Sequence, residues 1–352
     1  MRPSTRRGVL LLFRAFLSGV LVYQVLWIST IMTKLTLASL ADVREKPVIT
    51  LFTTFASDAL REPVTRLVIH NWATLRPAVQ PVLFTTTGSG WAVEEALRHG
   101  WVVKRVPAVN ARGTPFIKAM FESAYNLIDS HFYCFANGDL LFSESLVENI
   151  RAVTAFMNSN PNVSDADYTK PFVLGRRSDL AFNSSSALFE LTQNPQSMWA
   201  QNRSTLAKSD AQDYFLTLRN GFPWDRVPDL VVGRVAVDNY LVLMARYHGM
   251  MTVDLTATNK VLHLKQRHFR PYRPDGGYNK ELIQRLHPNG VPWALTTTTR
   301  ARIGTKRDEQ GRVIVTTRDG YIPFERGKYF EEYEKMSGFK TLVRKPTFQM
   351  LS

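Results

Sequence analysis

Small polar and acidic side chains follow two of the short apolar runs in this sequence. A carboxylate directly behind an apolar strand can hold a metal that prefers oxygen ligands, such as Mn²⁺ or Mg²⁺. Such a metal would neutralise the charge that develops on a diphosphate leaving group. The candidate residues are Thr53, Thr54, Ser57 and Asp58 after the first run, and Asn137, Gly138 and Asp139 after a later one.

Asp139 has two interpretations. It precedes the apolar pair Leu140-Leu141, and Gly138 before it would let the backbone approach a ligand. In the first interpretation Asp139 binds the metal. In the second it belongs to a turn and caps the helix that follows Ser143. The spacing of the residues leaves both interpretations open.

A second group of candidates is the arginine pair Arg176 and Arg177, which follows the apolar run 171–175. Two guanidinium groups at a strand end can clamp a phosphate through paired hydrogen bonds. Asp179 lies close enough in sequence to hold one of them in a structural ion pair instead. The two readings are of equal weight.

The elements that must position these residues alternate along the chain. From residue 48 onward, short β-rich runs alternate with amphipathic stretches, which predicts a parallel sheet covered by helices. In open α/β sheets ligands bind beyond the carboxyl ends of the strands, so the polar residues after the strands would share one edge. The predicted strands are 48–55, 81–86, 101–106 and 131–136, and the predicted helices are 62–75, 91–99 and 115–128.

Two local signals refine this pattern. Thr114 is predicted to cap the helix over 115–128, and Pro115 fits the first turn of that helix. Near the carboxyl terminus, residues 308–311 are predicted to lie at a hairpin, and residues 329–336 form a short amphipathic pattern.

The amino-terminal segment has the pattern of a membrane anchor. Residues 1–8 are basic, and residues 9–33 are apolar apart from Arg14, Gln24 and a few small hydroxyl residues. About 20 apolar residues suffice to span a bilayer, and a basic leader favours an amino terminus left in the cytosol. A cleaved signal peptide is the main alternative.

We therefore predict a type II single-pass protein of the Golgi or ER membrane. Residues 1–8 would be the cytosolic tail, 9–33 the transmembrane signal-anchor and 34–46 the stem, with the remainder in the lumen. Three acceptor sequons for N-glycosylation, at Asn162, Asn183 and Asn202, support a lumenal location.

Composition limits the remaining choices. The chain has 352 residues, 45% of them apolar, which is enough for a sizeable core. Its net charge of +14 suits an anionic partner, but the lack of zinc-finger spacing and of an aromatic-basic signature argues against nucleic acid. Cys134 is the only cysteine, which excludes an intramolecular disulfide and a cysteine-based zinc site.

Several segments, in the same order, resemble the nucleotide-diphospho-sugar transferase superfamily of the GT-A type. The similarity covers about residues 48–270. It implies a Rossmann-like α/β fold with a mixed, mostly parallel central sheet flanked by helices. We assign residues 47–290 to this domain and 291–352 to a basic extension packed on it. The segments are 71–75 with 82–84, 113–116, 135–142, 175–177, 213–215, 232–234 and 237–241.

The resemblance implies a role for the residues after the fourth strand. In the superfamily a carboxylate-rich motif at this position binds the metal and the diphosphate, and its last Asp matches Asp139. The familiar pattern has a second Asp where this chain has Asn137. An amide oxygen can still bind metal or ribose, but it lowers the negative charge of the site.

The resemblance also implies a late metal ligand and a catalytic base. His263, and less strongly His268, lie where many members supply a metal ligand, although a single His near an apolar run is often structural. Asp238 is predicted at the start of a helix, where it is either a cap or the base that takes a proton from the acceptor hydroxyl. The predicted nucleotide-sugar site comprises Thr53, Thr54, Ser57, Asp58, Thr114, Asn137, Arg176, Arg177 and Asp213, and the predicted metal site comprises Asp139, Asn137 and His263.

Together these features predict a metal-dependent glycosyltransferase. It would move a sugar from a nucleoside-diphosphate sugar to a glycan, glycoprotein or glycolipid acceptor. A nucleotidyltransferase usually carries a Gly-rich phosphate loop with a basic residue after its first strand, and residues 53–58 contain neither. The third possibility is a catalytically silent carbohydrate-binding protein, for which Asn137 is the best support.

Overall fold

The computed structural model describes residues 46–55, 59–159, 170–182, 204–266 and 275–319, together with Gln24, Trp27, Ser29, Tyr321 and Phe324. Contacts between residues divide the chain into two units, Met1–Lys46 and Pro47–Ser352. The second unit carries the fold that follows. The predicted anchor and stem, the three sequons and the predicted helix over 329–336 lie outside the described residues, apart from the isolated positions named above.

Within the described part of the chain, no helix combines the length and the apolar character that a bilayer span needs.

The amino-terminal half alternates strands and helices, as the sequence pattern predicts. All five residues of the first strand are buried, because it lies inside the sheet with helices on both faces. The elements are β1 (Ile49–Thr53), α1 (Glu62–Thr74), β2 (Val79–Thr85), α2 (Trp91–Arg98), β3 (Val102–Arg105), α3 (Ile117–Leu127) and β4 (Phe132–Ala136). A short 3-10 helix, Ala59–Arg61, precedes α1.

The second half adds strands to the same sheet and builds a smaller one. The helices are α4 (Ser145–Ser159), α5 (Val237–Tyr247) and α6 (Tyr278–Leu286). The strands are β5 (Leu140–Phe142), β6 (Pro171–Leu174), β7 (Ser178–Phe182), β8 (Thr205–Leu206), β9 (Tyr214–Leu218), β10 (Met251–Asp254), β11 (Val261–Gln266), β12 (Ile303–Arg307) and β13 (Val313–Thr317). Further 3-10 helices are Trp224–Arg226, Trp293–Leu295 and Thr298–Arg300.

The central sheet has nine strands in the order β13-β12-β10-β6-β9-β4-β1-β2-β3. Strand β9 runs antiparallel to both of its neighbours, and β13 runs antiparallel to β12. The other neighbouring pairs are parallel. The predicted mixed, mostly parallel sheet flanked by helices is therefore confirmed. The hairpin predicted at residues 308–311 is also confirmed, and its two strands extend this sheet although they lie in the segment assigned to the carboxyl-terminal extension.

Each face of the central sheet carries its own apolar core. One core includes Trp72 of α1, which stacks on Trp101 with ring centroids 5.1 Å apart. The other includes Phe121 of α3, which stacks on Trp224 at 4.5 Å. Burying large aromatic side chains on both faces supplies much of the apolar area that stabilises the sheet.

The predicted capping role of Thr114 is wrong. Helix α3 begins at Ile117, its N-cap residue is Phe116, and no side chain caps it. Thr114 lies before the helix in a loop, where its hydroxyl donates to Asp275 and its backbone N–H donates to Asn110 Oδ1 at 2.9 Å. The Thr114 hydroxyl, which the local sequence predicts to cap a helix, is therefore hydrogen-bonded to Asp275, a carboxylate distant in sequence.

Helix α1 fixes the position of the short strand β5. The buried Asn71 amide donates to the carbonyl of Phe142 at 3.0 Å and accepts from its N–H at 2.8 Å. The Trp72 indole donates to the carbonyl of Leu140 at 2.9 Å. These bonds satisfy backbone groups of a strand that is buried along its whole length. They also hold the chain directly after Asp139.

We expect Asn71→Ala to lower the free energy of unfolding by about 2–6 kcal/mol, because each of the two buried Phe142 groups left unpaired costs about 1–3 kcal/mol. Urea unfolding followed by circular dichroism measures this change. Asn126→Ala, at an exposed position on α3, is the control and should stay within about 0.5 kcal/mol of wild type. Equal effects of the two substitutions would contradict the proposal that Asn71 holds β5 in place.

Candidate active site

The turn between β4 and β5 consists of Asn137, Gly138 and Asp139. A side chain at Gly138 would bring its Cβ to 2.7 Å from the Phe55 ring and 3.3 Å from the Thr54 carbonyl. Gly138 therefore lets the exit of β1 pack against this turn. The predicted reason for this glycine was approach to a ligand, whereas its observed close neighbour is Phe55.

Asp139 contacts two basic side chains. Arg61, which ends the 3-10 helix before α1, donates from Nη2 to Asp139 Oδ2 at 2.6 Å. The Nε2 atom of His263 lies 3.5 Å from the same oxygen. Among the described residues, Asp139 Oδ1 is buried with no hydrogen-bond partner. Asp139 lies in a turn, as the second interpretation predicts, but β5 separates it from the helix that begins at Ser145, so it does not cap that helix.

Strand pairing brings His263 to this place. It lies in β11, opposite Leu140 of β5 on one side and Asp179 of β7 on the other. These strands belong to the small sheet with the order β5-β11-β7-β8. The backbone bond from Leu264 N–H to the Asp139 carbonyl, at 2.9 Å, fixes the register. His263 thus lies inside β11.

Asp179 orients the His263 ring. Its Oδ1 atom lies 2.8 Å from His263 Nδ1. When Asp179 accepts the hydrogen bond from Nδ1–H, Nε2 is directed at Asp139, and it donates to that carboxylate only while the ring carries its second proton. A carboxylate behind a histidine in this way is the usual support of a histidine that ligates metal.

Both carboxylates are held ionised. Burial opposes ionisation of Asp139, but its hydrogen bond and charge interaction with His263, together with Arg61, outweigh this and hold its pKa well below its ordinary value. Burial likewise opposes ionisation of Asp179, but His263 and Arg177 lower its pKa. The site thus keeps its negative charge at neutral pH.

Arg177 joins a second part of the site to the first. Its Nε donates to Asp179 Oδ1 at 3.0 Å, and its Nη1 contacts Asp213 Oδ2. Asp213 also accepts from the Asn137 amide at 2.8 Å, and its carbonyl accepts from the Asn137 N–H at 2.9 Å. Three predicted site residues, Asn137, Arg177 and Asp213, therefore lie in one network.

Arg176, Arg177 and the amide nitrogen of Asn137 all bond to protein groups. The structural ion pair with Asp179, left open by the sequence, is present. The amide of Asn137 is directed to Asp213. Arg176 donates from Nε to the Ala207 carbonyl at 2.8 Å, so the guanidinium groups of both arginines have protein partners.

Asp238 is the second residue of α5 and is partly buried. The N-cap of this helix is Ala236, which has a left-handed backbone with φ of 76°. Burial raises the pKa of Asp238 to about 6, although the backbone N–H groups of Asn239, of Asp238 itself and of Gln212, and the charge of Arg177, act in the opposite direction. The helix start predicted for Asp238 is confirmed. The charge of Arg177, which contacts Asp179 and Asp213, also acts on Asp238.

Of the remaining predicted residues, three lie in the described part of the chain and three lie outside it. Thr53 is fully buried, and its hydroxyl donates to the Thr54 carbonyl at 3.4 Å. Thr54 is half-buried at the exit of β1, and Thr114 bonds Asp275 as described above. Ser57, Asp58 and His268 lie outside the described residues.

Arg61 is not among the site residues that the sequence predicts. No motif marks it, since a single arginine ahead of a helix is common. One signal was available, because Arg61 follows the exit of β1 and the carboxyl edges of β1 and β4 are adjacent in a parallel pair. A basic residue after β1 would then lie near an acidic residue after β4.

The residues present fit a divalent metal ion. Asp139 supplies a buried carboxylate oxygen without a hydrogen-bond partner among the described residues. His263 supplies Nε2, and Asp179 orients its ring through the hydrogen bond to Nδ1. Mg²⁺ and Mn²⁺ are commonly bound by one or two protein groups plus the phosphates of a substrate. Asn137, predicted as a further ligand through its amide oxygen, donates from its amide nitrogen to Asp213 Oδ1 at 2.8 Å, so its role as a metal ligand stays a prediction.

No family model and no curated protein matches this sequence. Among solved structures, a mannosyltransferase from Pyrobaculum calidifontis in complex with GDP-Man and Mn²⁺ is 11% identical, with a TM-score of 0.35, over 69% of this chain and 62% of that one. The chain thus spans less than two thirds of that relative. Glucosyl-3-phosphoglycerate synthase from Mycobacterium tuberculosis, in complex with Mn²⁺ and UDP-glucose, is 13% identical, with a TM-score of 0.36, over 77% of this chain and 86% of that one.

Both likenesses have TM-scores below 0.5, so they assign no function to this chain.

The raised pKa of Asp238 makes stability depend on pH. The unfolded chain ionises this carboxyl near its ordinary value of 3.8, whereas the folded protein does so near 6. Folding is therefore penalised increasingly as the pH rises from about 4 to 6, and fully above that range. Asp238→Asn removes the penalty, so it should stabilise the protein by about 2 kcal/mol at pH 7 relative to its effect at pH 4.

Thermal unfolding between pH 4 and 8 measures this difference. Asp225→Asn is the matched control, because the Asp225 side chain is 71% exposed, and it should leave the slope of stability against pH unchanged. A pH-independent effect of Asp238→Asn would show that this carboxyl titrates normally.

Proposed function

We propose that this chain is a glycosyltransferase that moves a sugar from a nucleoside-diphosphate sugar to an acceptor hydroxyl, with a divalent metal at the diphosphate. One observation carries the proposal. Among the described residues, Oδ1 of the Asp139 carboxylate, at the carboxyl edge of β4, is buried with no hydrogen-bond partner, and Oδ2 lies 3.5 Å from Nε2 of the His263 ring, which Asp179 orients. A site of this kind suits a cation and the phosphates that accompany it.

Asp139 and His263 would hold the metal, which is Mn²⁺ or Mg²⁺. Bound there, the metal would neutralise the charge that collects on the diphosphate as the glycosidic bond breaks. Asp179 keeps the His263 ring in place through the 2.8 Å bond to Nδ1. Arg61 contributes a further positive charge beside Asp139 Oδ2, where it would also lie close to a phosphate.

Asp238 would be the base. It lies at the start of α5 with a pKa of about 6, so it is mostly ionised at pH 7 yet more basic than an ordinary Asp. That balance suits a group that takes the proton from an acceptor hydroxyl in the transition state. Arg177, held between Asp179 and Asp213, positions the carboxylates of the site and is less available as a phosphate clamp.

For the acceptor we propose a glycan, glycoprotein or glycolipid in the lumen of the Golgi or ER. The amino-terminal apolar segment over 9–33 and the three sequons support this location. No role for nucleic acid is proposed.

Incubation of the chain with a panel of nucleoside-diphosphate sugars and Mn²⁺ tests the proposal through release of the nucleoside diphosphate. We expect Asp139→Asn to lower kcat/KM by roughly 100-fold or more, since loss of even an outer-shell partner commonly costs 10–100-fold. Asp238→Asn should retain donor binding and lose transfer. Asp225→Asn, at an exposed position, should behave as wild type.

Two results would contradict the proposal. Turnover that is unchanged in Asp139→Asn would remove this carboxylate from the reaction. Donor binding by calorimetry with no turnover under any metal would favour the alternative of a catalytically silent sugar-nucleotide-binding protein, which the engagement of the Asn137 amide by Asp213 supports.

A further inference from the structure

Two histidines and a glutamate converge on the outer surface of helices α1 and α2, in a cluster separate from the residues of the candidate active site. His70 lies in α1, Glu95 in α2 and His99 directly after α2. The Nε2 atoms of His70 and His99 lie 2.9 Å and 3.4 Å from the same oxygen, Glu95 Oε1. Within the described part of the chain, this is the one group of three such side chains whose ligand atoms all lie within 4.8 Å of one another.

The spacing matches that of metal ligands. Ligand atoms about 2.0–2.1 Å from a tetrahedral zinc ion are separated from one another by roughly 3.3 Å. The two distances from Glu95 Oε1 lie on either side of that value. The two Nε2 atoms lie within 4.8 Å of one another, so the imidazoles would move closer together as a metal takes the place of the protons that now join these groups.

The second carboxylate oxygen of Glu95 forms ion pairs with two arginines. Its Oε2 atom is bonded by Arg66 at 3.1 Å and by Arg98. Only Oε1 is then presented to the two imidazoles, which fixes the carboxylate as a ligand through a single oxygen. Support of a ligating carboxylate by such hydrogen bonds is the usual arrangement around protein-bound metals.

The charges of the cluster are compatible with a bound cation. Burial opposes ionisation of Glu95, but His70, Arg98 and Arg66 lower its pKa, so it remains a carboxylate. Arg66 is also neutralised by Glu62 at 2.8 Å. The Arg98 side chain is 64% exposed, so solvent and salt screen its repulsion toward a metal.

The two histidines keep an open side. Their side chains are 47% and 32% exposed for His70 and His99, whereas that of Glu95 is 6% exposed. A metal could therefore enter from solvent and retain water at its remaining positions. Two imidazoles favour zinc and its transition-metal neighbours over Mg²⁺ or Ca²⁺, which prefer oxygen ligands.

We propose that His70, Glu95 and His99 form a zinc site that cross-links α1 to α2. Since the ligands come from two helices, the folded chain alone presents the complete site, and zinc binding would stabilise the fold. Helix α1 also carries Asn71 and Trp72, which hold β5. A zinc ion at this site would thus stabilise helix α1, on which the position of β5 depends.

Calorimetric titration with ZnCl₂ tests the site in the full chain after removal of metals with a chelator. The titration is made in the Asp139→Asn background, so that the candidate active site does not compete for zinc. We expect one equivalent to bind and the midpoint of thermal unfolding to rise with zinc. His70→Ala and His99→Ala should each weaken zinc binding by more than the 10–100-fold typical of losing an outer-shell partner. Co²⁺ in place of Zn²⁺ should give the visible absorption of a site with nitrogen ligands.

His131→Ala, at an exposed position, is the matched control and should retain zinc binding. Glu95 is left intact because its two arginine contacts make loss of folding a risk. Zinc affinity and thermal shift that are the same in the His70→Ala, His99→Ala double variant as in its parent would overturn the proposal. So would the absence of any zinc-dependent shift in the parent, which would leave the cluster as a hydrogen-bonded contact between two helices.

Discussion

Negative charge concentrated at the carboxyl edge of the central sheet is the constraint on which this site depends. Asp139 and Asp213 lie at this edge, and Asp179 lies in β7 of the small sheet beside His263. All three have little exposure, and each carboxylate is in contact with a positive or proton-donating group. Removing a carboxylate from water costs several kcal/mol unless a partner compensates it. Arg61, Arg177 and His263 supply that compensation, and one oxygen of Asp139 remains without it among the described residues.

The small sheet makes this concentration of charge possible. Strand β5 follows Asp139 directly, β11 carries His263, and β7 carries Asp179, so two register-fixed strand pairs place the three side chains together. Helix α1 anchors β5 through Asn71 and Trp72. The chemistry therefore rests on backbone pairing of rigid elements, which holds functional side chains more accurately than loops do.

The sequence predicted much of the first half of the fold, because apolar periodicity and strand-helix alternation are local signals. It also placed Asp139 after a strand and Asp238 at the start of a helix. Pairings between distant residues left no such signal. The bond between Thr114 and Asp275 spans a long stretch of chain and displaced a local capping motif, while the contact between Arg61 and Asp139 depends on the adjacency of β1 and β4.

The position of the metal is the most direct test of this account. Crystals grown with MnCl₂ and a nucleoside diphosphate, measured at the manganese absorption edge, would locate it by anomalous scattering. We expect a peak bonded to Asp139 and to Nε2 of His263, with the diphosphate on its open side. A peak elsewhere, with Asp139 still joined only to Arg61 and His263 beside a bound nucleotide, would contradict the account.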